Sequence, residues 1–79
     1  MTRRQRDRQI EFLSLCFSLT MQGFHFTKDN NGFLEMDWVE VRRLGNPYTR
    51  LPFVQSWGIH RLRENKFIIS FKLRSDVTC

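Results

Sequence analysis

Large apolar residues alternate with polar ones from residue 23 to residue 41, on both sides of the loop sequence Asn30, Asn31 and Gly32. Alternation with period two is typical of a β-hairpin that buries one face. A three-residue loop suits this segment, because Gly32 can adopt the positive φ angle that the last loop position needs. The resulting register gathers the large apolar side chains on one face: Phe24 opposite Trp38, Phe26 opposite Met36, and Leu34. The other face carries His25, Thr27, Glu35 and Asp37.

A second pair of alternating segments lies between residues 51 and 74. The later segment places Phe67, Ile69, Phe71 and Leu73 on one side, and the earlier one does the same with Leu51, Phe53, Trp57 and Ile59. A loop of Glu64, Asn65 and Lys66 sets Ile59 opposite Phe71 and Trp57 opposite Leu73, with Arg61 and Arg63 at the border of this face. Pro52 favours an edge strand, because proline lacks a backbone N–H. A short helical turn that ends at Gly58 is the alternative for the earlier segment.

Residues 1–22 fit two periodicities. As a helix they have a narrow polar strip (Asp7, Glu11, Ser14 and Ser18) and an apolar side (Ile10, Leu13, Cys16, Phe17 and Met21). As a strand they would line one face with Leu13, Leu15, Phe17, Leu19 and Met21. We favour the helix, because residues of good helical propensity lead into the segment and a four-stranded sheet needs a cover for its apolar face. Thr2 is the expected N-cap, and Gly23 ends the helix.

These elements predict an α+β fold in which an N-terminal helix packs on a four-stranded antiparallel sheet made of two consecutive β-hairpins. A chain of 79 residues has room for one domain. We divide it into a helix (1–22), the first hairpin (23–41), a loop marked by Gly45, Asn46 and Pro47 (42–50), the second hairpin (51–74) and a tail (75–79). Eight Phe, two Trp and one Tyr supply large side chains for a small core.

The net charge of +5 is unevenly distributed along the chain. Acidic residues outnumber basic ones only in the first hairpin, so both flanks of that hairpin are basic. A field of this sign attracts polyanions. Lys and Arg neutralise phosphates, and exposed aromatic side chains stack on unpaired bases. The candidate nucleic-acid or partner-binding residues are Arg3, Arg4, Arg6, Arg8, Arg42, Arg43, Tyr48, Arg50, Arg61, Arg63, Lys66, Lys72 and Arg74.

A second hypothesis is a protein-directed inhibitor or adaptor of the kind that phages and mobile elements carry. Aromatic and Arg residues dominate the energetics of protein interfaces, and the split charge pattern offers surfaces of both signs. Its partner would be a host protein or a nucleoprotein complex, such as a defence or transcription machine. The sequence contains no helix-turn-helix, zinc-finger or RNP motif that would decide between the two hypotheses.

Catalytic and metal sites have little support in the sequence. Glu35 and Asp37 form a possible carboxylate pair, but a solvated strand face opposite His25 and Thr27 explains them much better. Residues 27–38 resemble the middle of an EF-hand loop, yet Thr27 and Trp38 stand where acidic calcium ligands are needed. We therefore expect a non-enzymatic protein without a cofactor, a small-molecule substrate or a membrane partner.

The two cysteines indicate a reducing compartment. Cys16 lies in an apolar run and is expected to be buried, whereas Cys79 could link two copies into a homodimer. The apolar run 10–21 is too short to span a bilayer and is interrupted by Glu11, so we expect a soluble, cytoplasmic protein rather than one with a signal peptide.

Overall fold

The computed structural model describes residues 2–29 and 31–77, which form two α-helices, four β-strands and a 3-10 turn. All strand pairs are antiparallel, in the order β1-β2-β4-β3. The α+β class with an N-terminal helix and a four-stranded antiparallel sheet is confirmed. The second hairpin joins the first through β4, so β3 is an edge strand. The elements are α1 (Arg3–Met21), β1 (Thr27–Lys28), β2 (Leu34–Met36), α2 (Trp38–Leu44), β3 (Val54–Arg63), β4 (Lys66–Leu73) and the 3-10 turn (Arg74–Asp76).

The helical interpretation of the N-terminal segment is confirmed, and its predicted start is correct. The Thr2 hydroxyl accepts a hydrogen bond from the Gln5 amide (3.1 Å), and the Gln5 side chain accepts one from the Thr2 amide (2.8 Å). This reciprocal capping box satisfies two backbone donors that the first turn leaves unpaired. At the other end, Gly23 takes a φ angle of 86° immediately after the helix.

The predicted apolar side of α1 is wrong. The side chains buried against the sheet are Phe12, Leu15, Cys16 and Leu19. Except for Cys16, the residues assigned to the apolar side (Ile10, Leu13, Phe17 and Met21) are exposed. The helix has two apolar faces, and the sequence alone does not show which one meets the sheet. Glu11, from the predicted polar strip, is partly buried and accepts a hydrogen bond from the Ser75 amide.

The register of the first hairpin is confirmed where the strands exist, since Thr27 pairs with Glu35 and Lys28 with Leu34. Gly32 has the expected positive φ angle (81°). The Asp29 carboxylate also shapes the loop, because it accepts hydrogen bonds from the Asn31 and Phe33 amides (2.8 and 2.9 Å). Asn30, the first predicted loop residue, lies outside the described residues.

The second strand of this hairpin ends at Met36, so the prediction of a strand up to residue 41 is wrong. Trp38 begins α2 and is 48% exposed, and it therefore does not face Phe24. The predicted 42–50 loop also loses its first three residues to this helix. Glu40 in the first turn and two arginines in the last turn match the helix dipole, while Val41 and Leu44 share the buried face.

The second hairpin is paired two residues away from the predicted register. Trp57 lies opposite Phe71, Ile59 opposite Ile69 and Arg61 opposite Phe67. The turn contains only Glu64 and Asn65, because Lys66 already belongs to β4. A shift of two residues keeps Trp57, Ile59 and Arg61 on their predicted face. The predictions for Phe53 and Arg63 are wrong, because Val54 lies opposite Leu73 and Arg63 lies opposite Lys66. The turn is one residue shorter than predicted, and the irregular pairing between Arg61 and Arg63 shifts the register by one residue more.

One hydrophobic core lies between the sheet and the two helices. Helix α1 packs against β4 and the 3-10 turn, and α2 packs against β2 and β4. The edge strand β3 is peripheral to this core, since Trp57 is only partly buried and Ile59 is 46% exposed. The buried core residues are Phe12, Leu15, Cys16, Leu19, Phe24, Leu34, Met36, Val41, Leu44, Ile69, Phe71 and Leu73.

Candidate nucleic-acid interface

The predicted basic residues fall into three separate groups. The N-terminal group lies where α1 begins beside the 3-10 turn, and the loop group lies where α1 ends beside α2. These two are separated by the length of α1, about 28 Å for a helix of this size. The hairpin group lies at the β3-β4 turn. The groups are Arg3, Arg4, Arg6, Arg8 and Arg74; Arg42, Arg43, Tyr48 and Arg50; and Arg61, Arg63 and Lys66. Lys72 lies further along β4, away from the turn.

Part of the N-terminal group is occupied with holding α1 to the 3-10 turn. The Arg8 guanidinium donates to the Asp76 carboxylate (2.8 Å), and Arg4 donates to the Asp76 backbone carbonyl (3.4 Å). Arg3 and Arg6 are exposed and have no side-chain partner among residues 2–29 and 31–77. Arg74 is likewise exposed and has no side-chain partner in the described residues, so the free charge of this group lies on Arg3, Arg6 and Arg74.

The hairpin group is divided by the two faces of the sheet. Arg61 lies opposite Phe67, on the side that faces the helices, and it donates to the Glu64 carbonyl (3.2 Å). Lys66 forms an ion pair with Asp37 (2.9 Å). Lys72 alternates with buried Phe71 and Leu73, which places it on the open face of the sheet. These cations do not form one patch.

The loop group does form a continuous surface. The residues after α2 are held by side-chain caps: the Tyr48 amide donates to the Asn46 side chain (2.8 Å), and the Thr49 hydroxyl donates to the Arg43 carbonyl (2.6 Å). The Gln22 side chain donates to the Arg50 carbonyl (2.9 Å) and accepts from the Arg50 amide (2.8 Å). These bonds fix an exposed loop against the end of α1.

Two shallow clefts on this surface share Arg43 and Asn46. One is also lined by Gln22, Tyr48 and Thr49, and the other by Val39 and Arg42. Tyr48 is 90% exposed, so its ring is available to an incoming group. We call this the α2–loop surface and define it by Trp38, Val39, Arg42, Arg43, Asn46, Tyr48 and Arg50.

Arg43 is the structural centre of the surface rather than a free cation. Its guanidinium donates to the Gln22 carbonyl (2.6 Å), the Gly23 carbonyl (3.0 Å) and the Glu40 carboxylate (3.2 Å). The same group lies 4.2 Å from the centroid of the Phe24 ring. It therefore satisfies carbonyls at the end of α1 and neutralises Glu40. Arg42 and Arg50 have no ion pair in the described part of the chain.

Sequence reasoning missed Trp38 and Val39, because it assigned both to a strand. In the helix, Trp38 and Arg42 are four residues apart and lie on the same outer face as Val39. The Trp38 ring also contacts Phe67, with the ring centroids 5.4 Å apart, and its amide donates to the Asn65 side chain. The α2–loop surface thus extends from Tyr48 to the edge of the hairpin tip. The sequence signal that could have identified this helix was Glu40 followed by Arg42 and Arg43, because an acidic first turn and a basic last turn are typical of a short helix.

The residues considered for metal or acid–base chemistry have other contacts. Asp29 closes the first hairpin loop, and Asp37 is paired with Lys66. Within the described residues, His, Cys, Asp and Glu nowhere form a group of three or more that would hold a metal ion. Cys16 is buried as predicted, and this burial raises the pKa of its thiol against the opposing effect of the Lys28 charge. Cys79, the predicted cross-linking thiol, lies outside the described residues.

Of the helices that the structure describes, neither combines the length and the apolar character needed to cross a bilayer.

Comparison of the chain with protein-family models, with curated proteins and with solved structures found no match.

Proposed function

We propose that the protein binds single-stranded nucleic acid through the α2–loop surface. The observation that carries this proposal is the exposed Tyr48 ring beside Arg42 and Arg50, two cations without an ion pair in the described residues. Proteins that bind single strands combine aromatic platforms for the bases with Lys and Arg for the phosphates. This surface supplies both kinds of group.

The distribution of negative charge favours the same surface. Glu40, the acidic residue of α2, is largely buried and is neutralised by Arg43. Asp37, at the start of the helix, is paired with Lys66. A phosphate that approaches Arg42 or Arg50 therefore meets little opposing charge. The polar side chains of Asn46 and Thr49 supply further groups at the floor of the clefts.

Single strands fit the surface better than a duplex. An exposed aromatic ring stacks on a base only when the base is unpaired and accessible. Trp38 and Tyr48 lie at opposite ends of the α2–loop surface, with Arg42 between them in the chain. A short stretch of a few nucleotides would contact both rings and place its phosphates near the two free arginines. Helix α2 has seven residues and is too short to fill a major groove as a recognition helix.

Fluorescence anisotropy with labelled oligonucleotides tests the proposal. A single strand of about 20 nucleotides should bind more tightly than its duplex, and binding should weaken steeply between about 50 and about 200 mM salt. Tyr48→Ala should lower the affinity about tenfold, as expected for the loss of one stacked base. Arg42→Ala combined with Arg50→Ala should reduce the slope of log K against log salt by about 1.4.

Lys72→Ala is the matched control, because it removes one cation from the open face of the sheet. Its effect on affinity should be less than about twofold. A loss for Lys72→Ala of half that of the double arginine variant, or more, would show that net charge, and not this surface, determines binding. Arg61→Ala combined with Arg63→Ala will show whether the binding surface extends along the hairpin tip.

The exposed apolar side of α1 favours the second candidate function, an inhibitor or adaptor that docks on a protein. Exposed apolar rows of this kind occur at protein interfaces. If no oligonucleotide binds even at low salt, the nucleic-acid proposal fails and a protein target becomes the better hypothesis.

A further inference from the structure

Helix α1 has an apolar row on its outer side that nothing in the described structure covers. We call it the outer stripe and define it by Ile10, Leu13, Phe17 and Met21, which are 55%, 51%, 68% and 70% exposed. The side chains buried against the sheet lie on nearly the opposite side of the same helix. Burial of the outer stripe is therefore not required for the fold of a single chain.

The spacing of the outer stripe is that of a helix–helix seam. The residues Arg3, Arg6, Ile10, Leu13, Phe17 and Thr20 follow one another at alternating intervals of three and four. This is the a and d pattern of a two-helix interface, with Met21 beside it. The apolar part of the seam occupies its C-terminal two-thirds, and the two arginines occupy its N-terminal end.

We infer that the outer stripe binds the outer stripe of a second copy, with the two α1 helices antiparallel. No side chain in the first or last turn of α1 complements the helix dipole, and just beyond the last turn Arg43 already donates to the Gln22 and Gly23 carbonyls. When the two stripes pair antiparallel, Arg3 and Arg6 of one copy lie beyond the last turn of the other, so the N-terminal arginines of the two copies are kept apart. Parallel pairing would place the four arginines together. The arrangement is two-fold symmetric, and both copies use the same surface.

The exposed area of the stripe is sufficient for a reversible dimer. Each of its four side chains presents on the order of 100 Å², so two copies together remove roughly 1,000 Å² from water once the arginine stems are included. That is near the lower limit for specific interfaces, so we expect a weak and reversible dimer.

Dimerisation would also connect two basic groups that one chain keeps apart. Met21 is followed by Gln22, which lines a cleft of the α2–loop surface and holds Arg50. In the antiparallel dimer, Arg3 and Arg6 of one copy therefore lie near the α2–loop surface of the other. This consequence for nucleic-acid binding rests on the proposed function, whereas the dimer itself does not.

Sedimentation of the full chain under reducing conditions, from about 1 to about 300 µM, tests the inference. The protein should be in monomer–dimer equilibrium, and Phe17→Glu should weaken the dimer at least about tenfold. Ile59→Glu is the matched control, because Ile59 is an exposed apolar residue on the edge strand β3. It should leave the equilibrium unchanged. Circular dichroism should show that both variants fold, since both positions are exposed.

The orientation of the helices has its own test. Arg3→Gln combined with Arg6→Gln should change the affinity of an antiparallel dimer by less than about twofold, because that arrangement keeps these arginines of the two copies apart and salt screens more distant charges. A much stronger dimer would overturn the antiparallel arrangement, because parallel helices place the four arginines together and lose that repulsion.

Three further results would overturn the dimer. In the first, the wild-type chain sediments as a monomer at every concentration, and in the second, Ile59→Glu disrupts the dimer but Phe17→Glu does not. In the third, the chain is monomeric and its outer stripe binds vesicles of phosphatidylcholine and phosphatidylserine. A monomeric Phe17→Glu variant that keeps salt-dependent oligonucleotide binding would separate this proposal from the proposed function. A wild-type chain that forms the dimer but binds no oligonucleotide would instead contradict the proposed function alone.

Discussion

Arg42 and Arg43 are adjacent in the sequence and have different roles in the structure. Both were expected to contact a ligand, because sequence shows their charge but not their environment. Arg43 satisfies the Gln22 and Gly23 carbonyls and lies over the Phe24 ring. Arg42 extends from the outer face of α2 and lines a cleft. The position of a residue around a short helix separates a structural arginine from a binding one, and this position was lost when residues 38–41 were assigned to a strand and residues 42–50 to a loop.

Replacement of Arg43 by Ala should destabilise the protein by about 1–3 kcal/mol, because the Gln22 and Gly23 carbonyls and the Glu40 carboxylate lose their partner. Arg43→Lys should recover only part of this, since an ammonium cannot reproduce the planar fork. Arg42→Ala is the control and should change the free energy of unfolding by less than about 0.5 kcal/mol. Urea unfolding measures all three. Equal destabilisation by Arg42→Ala and Arg43→Ala would contradict the assigned roles.

Helices and strands were predictable from the sequence where a local feature determined them. They were less predictable where tertiary contacts determined them. Helical propensity and the expected N-cap Thr2 identified α1, and the glycine in the first loop identified the register of Thr27 with Glu35. Helix α2 was missed, because its seven residues include two β-branched valines and follow an alternating pattern without a break. The second hairpin was displaced by two residues, since its turn contains no glycine that would fix the loop length.

If the positive φ angle of Gly32 shapes the loop of the first hairpin, a side chain at this position should destabilise the protein. Gly32→Ala should cost about 1 kcal/mol, because the residue has a φ angle of 81° and the added Cβ meets no atom within 4 Å. The penalty would therefore come from the backbone and not from a clash. Gly45→Ala is the control: Gly45 has a φ angle of −78°, so alanine there should be neutral or stabilising by up to about 1 kcal/mol. Chemical denaturation of both variants measures the difference, and equal effects would contradict this role for Gly32.

At the scale of the whole molecule, the sequence predicted the layers but not how they face each other. The α+β arrangement followed from the order of the periodic segments. The face of α1 that meets the sheet did not, because both faces are apolar at helical spacing. The same ambiguity explains why the basic residues were first treated as one surface. The fold places Arg3 and Arg50 at opposite ends of α1, and the loop group combines two free cations with an aromatic ring that is 90% exposed.

The choice between the two faces of α1 can be measured with one pair of substitutions. Leu15 is fully buried in the core, whereas Leu13 is about half exposed on the outer stripe. Leu15→Ala should cost about 2–5 kcal/mol, and Leu13→Ala less than about 0.5 kcal/mol at a concentration low enough to keep the chain monomeric. Since helix and sheet share one core, helical dichroism and tryptophan fluorescence should report the same unfolding transition, and Leu15→Ala should shift both signals equally. A fluorescence transition that Leu15→Ala leaves in place would mean that the sheet is stable without α1, and it would contradict the single core on which the placement of both surfaces depends.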